Sequence, residues 1–295
     1  METTTKGYKL LKKIKDKNFD VDNLHQYSLQ ILTGSRDLQI TVSDTENNNC
    51  LLLEDYALSK VTTYKELVLV LNDLFDSHHL LRAGFWKSVK VGIKNNKFAL
   101  VPTKLFDPTA IFDYLKLNCK INTETDQLLY YQHLKSDAVN CFAINKQLYN
   151  WFQSLYPKIK IAYVHQSSSL IEGVLAQLSN YPDDSLFLYV DRFKLHVISS
   201  RNKKLEYYNQ FSIKQFQDYI KYIMLVFAGL KRSQKTTNVI FWGYIGKQSS
   251  HYHEFIKYIK HISFGDRPQF YKYGFVFDEL QDHYYFDVYN LHLCE

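Results

Sequence analysis

Residues 185–246 read SLFLYVDRFKLHVISSRNKKLEYYNQFSIKQFQDYIKYIMLVFAGLKRSQKTTNVIFWGYIG, and the order of elements in this stretch decides the fold. It opens with three apolar runs divided by short polar breaks, at 185–191, 193–199 and 204–211, which predict three strands joined by tight turns. Residues 212–231 bring apolar side chains back every three or four positions and predict an amphipathic helix. The short apolar run 238–242 predicts a buried strand. Gly243 follows it, where the chain could pass close to a ligand.

A weaker copy of this order lies near the N-terminus. Residues 24–32 and 37–43 alternate as two strands around Thr33-Gly34-Ser35-Arg36, and 50–53 begins a third. In 63–81, Leu67, Val68, Leu71, Leu74 and Phe75 share one helical face. Residues 85–93 and 97–101 flank Asn95-Asn96 and predict a hairpin, because asparagine tolerates positive φ. Pro102 ends the second of these strands, and Thr103 is placed to cap a helix running to about Asn118. Residues 128–134 and 138–143 predict a second hairpin.

Asn145 caps a predicted helix over 146–155 that Tyr156-Pro157 ends. A strand at 159–164 and a helix at 167–178 follow, and the Pro182-containing segment 180–184 marks a boundary. Beyond the quoted stretch come a helix at about 248–261 and a strand near 269–273. The end, 282–294, fits either a closing strand or a short helix.

Three antiparallel strands followed by helix, strand, helix and strand is the order of a ribonuclease-H-like unit. Two such units in tandem give an α/β protein with mixed sheets in an actin/Hsp70-like arrangement around an inter-half cleft. Residues 1–182 would form the first half, with a basic N-terminal arm and an inserted hairpin, and residues 183–295 the second. A nucleotide, where such a fold binds one, would lie in the cleft between the first turns of both halves.

Composition limits the function classes. With 295 residues, 46% hydrophobic and 22% charged, the chain can bury a large core and is not of a disordered type. The net charge is +6, but residues 1–19 hold six lysines against two acids, so most of the excess sits in the arm. Such an arm reads as a solvated terminus, and contact with nucleic acid is not expected. Cys50, Cys119, Cys141 and Cys294 are scattered, which excludes a zinc ribbon or a redox dithiol by spacing. No apolar run approaches the ~20 residues of a membrane span, and the basic start lacks an apolar signal-peptide region. A cytoplasmic setting without membrane insertion is the expectation.

The cleft residues match a phosphate site only in part. Actin-like ATPases place an Asp-x-Gly turn in each half, so that backbone can approach the phosphates and an acid can manage metal and water. Asp191-Arg192-Phe193 keeps the acid but has phenylalanine in the glycine position. Thr33-Gly34-Ser35-Arg36 keeps the glycine but lacks the acid. Phe241-Trp242-Gly243-Tyr244-Ile245-Gly246 offers two separated glycines for the adenosine end. Gly34, Asp191, Gly243 and Gly246 are therefore the candidate nucleotide residues, with ATP and magnesium as the ligand the fold would take.

No catalytic residue and no metal ligand is assigned. His251-Tyr252-His253-Glu254 lacks the spacing of a metalloprotease helix, since position 257 is Lys257. His78-His79 and His283 read as surface or capping residues. Glu279, Asp282 and Asp287 read as a solvated acidic face.

Several stretches carry a resemblance to a known family: Ala83-Gly84-Phe85-Trp86-Lys87-Ser88-Val89, Val101-Pro102-Thr103-Lys104-Leu105-Phe106, Tyr130-Tyr131-Gln132-His133, Tyr163-Val164-His165-Gln166-Ser167, Phe264-Gly265-Asp266-Arg267-Pro268 and Asp282-His283-Tyr284-Tyr285-Phe286-Asp287. On these the chain resembles a bacterial family, frequent in Bacteroidetes, whose structures are described as having an actin-like ATPase fold and whose activity is not established. It is more loosely similar to cytoplasmic actin-like proteins of pilus and secretion machines, which act by binding partners. The resemblance implies the fold and a protein partner, and no catalytic residue comes with it.

The leading expectation is a non-catalytic interaction or scaffold protein with a degenerate nucleotide site. The alternative is a divergent ATPase or nucleotide switch using Gly34, Asp191, Gly243 and Gly246. A third reading is RNA association through Lys12, Lys13, Lys15 and Lys17.

Overall fold

The computed structural model describes residues 7–192 and 194–294. The first sheet takes β1 (Tyr8–Lys15), β2 (Tyr27–Thr33), β3 (Asp37–Asp44) and β4 (Asn49–Leu58). Helix α1 (Tyr64–Ser77) leads to β5 (Ser88–Ile93). An insertion holds β6 (Phe98–Pro102), α2 (Ile111–Lys116), β7 (Asp126–Gln132) and β8 (Ala138–Asn145). Helix α3 (Lys146–Leu155), β9 (Ala162–His165) and α4 (Gln166–Gln177) complete this half. The second sheet comes from β10 (Leu186–Asp191), β11 (Lys194–Arg201), β12 (Lys204–Ser212), α5 (Phe216–Gly229), β13 (Asn238–Gly243), α6 (Ser250–Tyr258) and β14 (His261–Phe264). Then follow β15 (Lys272–Tyr273) and α7 (Phe286–Asn290).

The sheet orders carry the fold assignment. Five strands of the first sheet run β4-β3-β2-β5-β9, and the second runs β12-β11-β10-β13-β14. Numbered within each half, both are 3-2-1-4-5. In both, the first three strands are antiparallel and the last two join in parallel. The two halves are therefore ribonuclease-H-like units in an actin-like arrangement, as the element order predicts.

Local chemistry explains where the helices begin. Thr63 accepts from the Glu66 amide while the Glu66 carboxylate accepts from the Thr63 amide, a reciprocal cap that starts α1. Asn145 accepts from the Gln147 amide and starts α3 at the predicted residue. Helices α1 and α3 cover one face of the first sheet, where Leu29, Ile31, Leu71 and Phe152 are buried together. Helix α4 is buried along almost its whole length. Its Leu170, Ile171 and Val174 pack against Phe187, Tyr189 and Trp242 of the second sheet. Thus α4 is a spine shared by both halves, and Gly173 lets α7 approach it, since a β-carbon there would lie 2.4 Å from Asn290.

Four expectations need correction. The basic arm contains a strand: β1 pairs antiparallel with β4 at the sheet edge. Strands β5 and β6 do not pair with each other; β5 lies between β2 and β9, while β6 pairs with β8. Residues 103–118 do not form one helix from Thr103. They make two short 3₁₀ turns, and α2 starts at Ile111 after Asp107 caps the second turn. Finally, β15 pairs in parallel with β4 of the first sheet, and the closing strand of the second sheet is β14. The end of the chain is helical at α7, which resolves its two predicted alternatives.

Candidate functional site

The turn after β5 sends Lys94 into the gap between the two sheets, after its amide has extended the β2 pairing by bonding Thr33 O at 2.8 Å. Three carboxylates meet its ammonium. Asp37 at the start of β3 lies 2.7 Å from Nζ, Asp287 on α7 3.4 Å, and Asp191 at the end of β10 3.5 Å. All four side chains are buried. Gln166, the first residue of α4, donates from Nε2 to Asp191 and to Asp287, each at 2.9 Å.

Arg192 makes a second bridge. Its guanidinium reaches Asp55 on β4 at 2.5 Å and Asp37 at 3.3 Å, and stacks over the Tyr244 ring at 4.6 Å. The Tyr244 and Tyr285 hydroxyls each donate to Asp55 at 3.3 Å.

Isolated carboxylates buried this deeply would take up protons. Burial pushes Asp191 up, but the Lys94 ammonium, helped by hydrogen bonds from Gln166 and the Arg192 backbone amide, brings it down to about 2. At Asp37 burial wins over Lys94 and Arg192, with the Asp191 charge opposing ionisation as well, so its pKa is raised. Burial works against the Lys94 charge, yet Asp191, Asp37 and Asp287 together raise its pKa. Lysine 94 is thus a fixed internal cation, and it ties Asp191 of the second half to Asp37 of the first.

Beside this cluster lies a cavity of about 560 Å3, bordered by Gly34, Asp37, Lys94, Asp191, Arg192 and Lys194 among others. A second, of about 360 Å3, continues under the 33–35 turn to the start of α1. Gly34 and Asp191 therefore reach one cleft. Gly243 and Gly246 do not border it. Gly243 has φ +89°, and a β-carbon there would lie 2.1 Å from Val190 O. Its amide donates to His283 O at 2.8 Å, and His283 Nε2 donates to Ile245 O at 2.6 Å. The chain's own 283–285 segment covers this strand end, so His283 is buried and not a surface residue. Phe193 lies outside the described residues.

The residues present do not fit a magnesium-bound triphosphate at the carboxylates. A divalent cation would have to displace the Lys94 ammonium that already sits among them, and the glycine-bearing strand end carries protein contacts instead of an open shelf. Among the described residues no group of His, Cys, Asp or Glu is arranged to hold a metal ion. Glu279 pairs with Lys12 at 2.9 Å and Asp282 with Arg267 at 2.9 Å, while Asp287 is wholly buried, so these three acids form no common solvated face. Lys13 is engaged by Glu54 at 2.8 Å, which leaves fewer free charges in the arm.

One further constellation escaped sequence reasoning. Ser168 Oγ lies 3.5 Å from His133 Nε2, and His133 Nδ1 donates to Glu172 at 2.8 Å. The order matches a nucleophile, a base and its orienting acid. All three are buried, however, and Glu172 also accepts from the Leu134 amide at 3.1 Å, so its carboxylate is shared with the backbone of the insertion. The network seals the insertion against α4.

The fold and cleft define a protein of actin-like fold whose halves are bridged, beside an open cavity, by an internal ion network. The chain belongs to the family described as "Protein of unknown function (DUF3822)", which matches residues 16–262. Among solved structures it is similar to a Bacteroides thetaiotaomicron protein described as having an actin-like ATPase fold and unknown function. That match has a TM-score of 0.78 at 20% identity and covers 94% of this chain and 99% of the other. It is also similar to a chain of the PilM–PilN type IV pilus biogenesis complex, with a TM-score of 0.59 at 12% identity, covering 90% and 97%. No curated protein matches the chain. Among the described residues no helix is long and apolar enough to cross a membrane.

Proposed function

We propose that this chain is a non-catalytic, actin-like scaffold of the cytoplasm that works by holding a protein partner. The observation that carries the reading is the Lys94 ammonium among Asp37, Asp191 and Asp287. Where a nucleotide-driven protein of this architecture would need a removable cation, this one has a tethered cation that no exchange can release. A fixed bridge between the halves suits a rigid platform better than a hinge. The similar PilM–PilN structure is that of a protein complex, in keeping with partner binding on this fold. The four unpaired cysteines agree with a reducing compartment.

A thermal-shift titration with ATP, ADP and GTP, each with and without magnesium, tests the reading. A ligand at ~100 times its dissociation constant would add about 2.7 kcal/mol to the folded state. The scaffold reading expects no magnesium-dependent shift and no turnover. The cleft beside Gly34 and Asp191 keeps the nucleotide-switch reading alive as the other outcome: a magnesium-dependent rise abolished by Asp191→Ala in a folded protein.

A further inference from the structure

The partner surface can be located from the free edges of two strands. Strand β6 is an edge of the three-stranded sheet β6-β8-β7, and β12 is an edge of the second sheet. Between them lies a groove of about 530 Å3 bordered by Phe98–Leu100 and by Tyr208–Ser212. Successive side chains of a strand point to opposite faces, so a cavity bordered by consecutive residues runs along a backbone edge and not over a face.

The hydrogen-bond pattern shows which groups face it. Ala143 donates to Lys97 O at 3.0 Å and Thr103 to Asp137 O at 3.0 Å, so residues 97, 99, 101 and 103 bond toward β8. The amide and carbonyl of Phe98 and Leu100 then point away from β8, into the groove. On β12 the Gln210 amide is held by Asn209 Oδ1 at 2.8 Å, which marks Tyr208, Gln210 and Ser212 as the outward set. A side-chain oxygen on an outward edge amide occupies the place of an incoming peptide carbonyl. Gln210 Oε1 is also buried and lacks a hydrogen-bond partner.

One end of the groove is fixed. Asn95 O accepts from Gln210 Nε2 at 2.7 Å and from Lys194 Nζ at 3.1 Å, and Phe98 meets Tyr208 with ring centroids 5.6 Å apart. Among the described residues bordering the groove, Lys194 alone is charged. From this geometry we infer that the groove is a docking site for an extended peptide segment of a partner protein. The segment adds a strand along β12 and sets an acidic side chain against Lys194. Five residues of β12 span about 17 Å, enough to align a segment of about five residues. Its outward carbonyl replaces Asn209 Oδ1, and one of its amides supplies the donor that Gln210 Oε1 lacks.

This inference rests on the partner-binding reading above, and its test is independent of nucleotide. Random peptides displayed on phage are selected against the full-length protein, and the selected peptides are titrated by fluorescence anisotropy against wild type and three variants. Gln210→Pro removes an outward amide without touching the β11 pairing, and binding weakens roughly tenfold or more. Lys194→Gln weakens binding by about tenfold only for peptides with an acidic residue, and replacing that residue with its amide removes the difference. Asn209→Ala frees the Gln210 amide and tightens binding a few-fold. Circular dichroism melts check the fold, and if Gln210→Pro does not fold, the opposite signs expected of the other two variants still decide. Peptides that bind all four proteins equally, or no enrichment at all, overturn the site. A nucleotide-dependent shift would instead overturn the scaffold reading, whatever the peptides do.

Discussion

Lys94 and Asp191 lie 3.5 Å apart although one follows β5 of the first sheet and the other ends β10 of the second. The contact forms only when the halves are in register, so the charge pair is both a bridge and a check on their relative position. Both side chains are buried, so salt screens the pair far less than a surface pair. Its removal leaves carboxylates buried without a counter-ion, the expensive case among changes to buried pairs.

Lys94→Ala and Lys94→Met should therefore both destabilise the protein, by about 3–5 kcal/mol. They should differ in rescue. The alanine variant opens space among Asp37, Asp191 and Asp287, and millimolar magnesium or manganese should raise its melting temperature. The methionine variant fills that space and should not respond. Melting curves with and without the metal decide this. A Lys94→Ala protein that melts like wild type would remove the central role given to the ammonium.

The two glycines after β13 should behave oppositely. Gly243→Ala puts a methyl 2.1 Å from Val190 O at φ +89°, so the backbone must move and the 283–285 segment loses its seat. The expected loss is at least about 1–3 kcal/mol, the usual cost of a forced backbone conformation. At Gly246 the nearest atom to an added β-carbon is Tyr284 Oη at 4.0 Å, and alanine there should be nearly neutral. Urea denaturation of the two variants separates them; equal losses would mean that the covered strand end is not rigid.

Much of the fold was legible because its signals are local. The 185–246 stretch alternates apolar runs with turns, and its helix repeats at 3.6, so both periods stand out. Asn145 and Pro157 mark the ends of α3 by caps and breakers. Local signals fail where pairing is distant. β5 and β6 look like a hairpin around Asn95-Asn96, but their partners are chosen by residues 27–33, 138–145 and 162–165, and no short window holds that choice. Strand β1 was hidden by Lys9, Lys12, Lys13 and Lys15, which suit a sheet edge and also look like a solvated arm. Along the cleft, Asp191 and Gly34 stand out in the sequence because they sit in turns. Lys94, Asp37, Gln166 and Asp287 gain their meaning only by converging from positions 37 to 287.

Acid should loosen the protein from near pH 6.5 downward through its buried histidines. Burial, with Lys194 nearby in both cases, pushes His165 and His196 down to about 3, so both stay neutral in the folded protein. In the unfolded chain they bind protons below about pH 6.5. The unfolded state then holds more protons, and stability falls with pH between about 6.5 and 3. Each histidine contributes up to about 1.4 kcal/mol per pH unit within that window. Glu54 adds a later step. Despite burial, His78, Lys13 and Tyr56 bring it down to about 2, so its stabilisation is complete above its ordinary range and is lost as pH falls through about 2. Urea midpoints measured from pH 7.5 to 4.5 should fall as the pH is lowered, and His196→Asn should make that slope shallower. An unchanged midpoint across that range would mean that neither imidazole is held neutral by the fold.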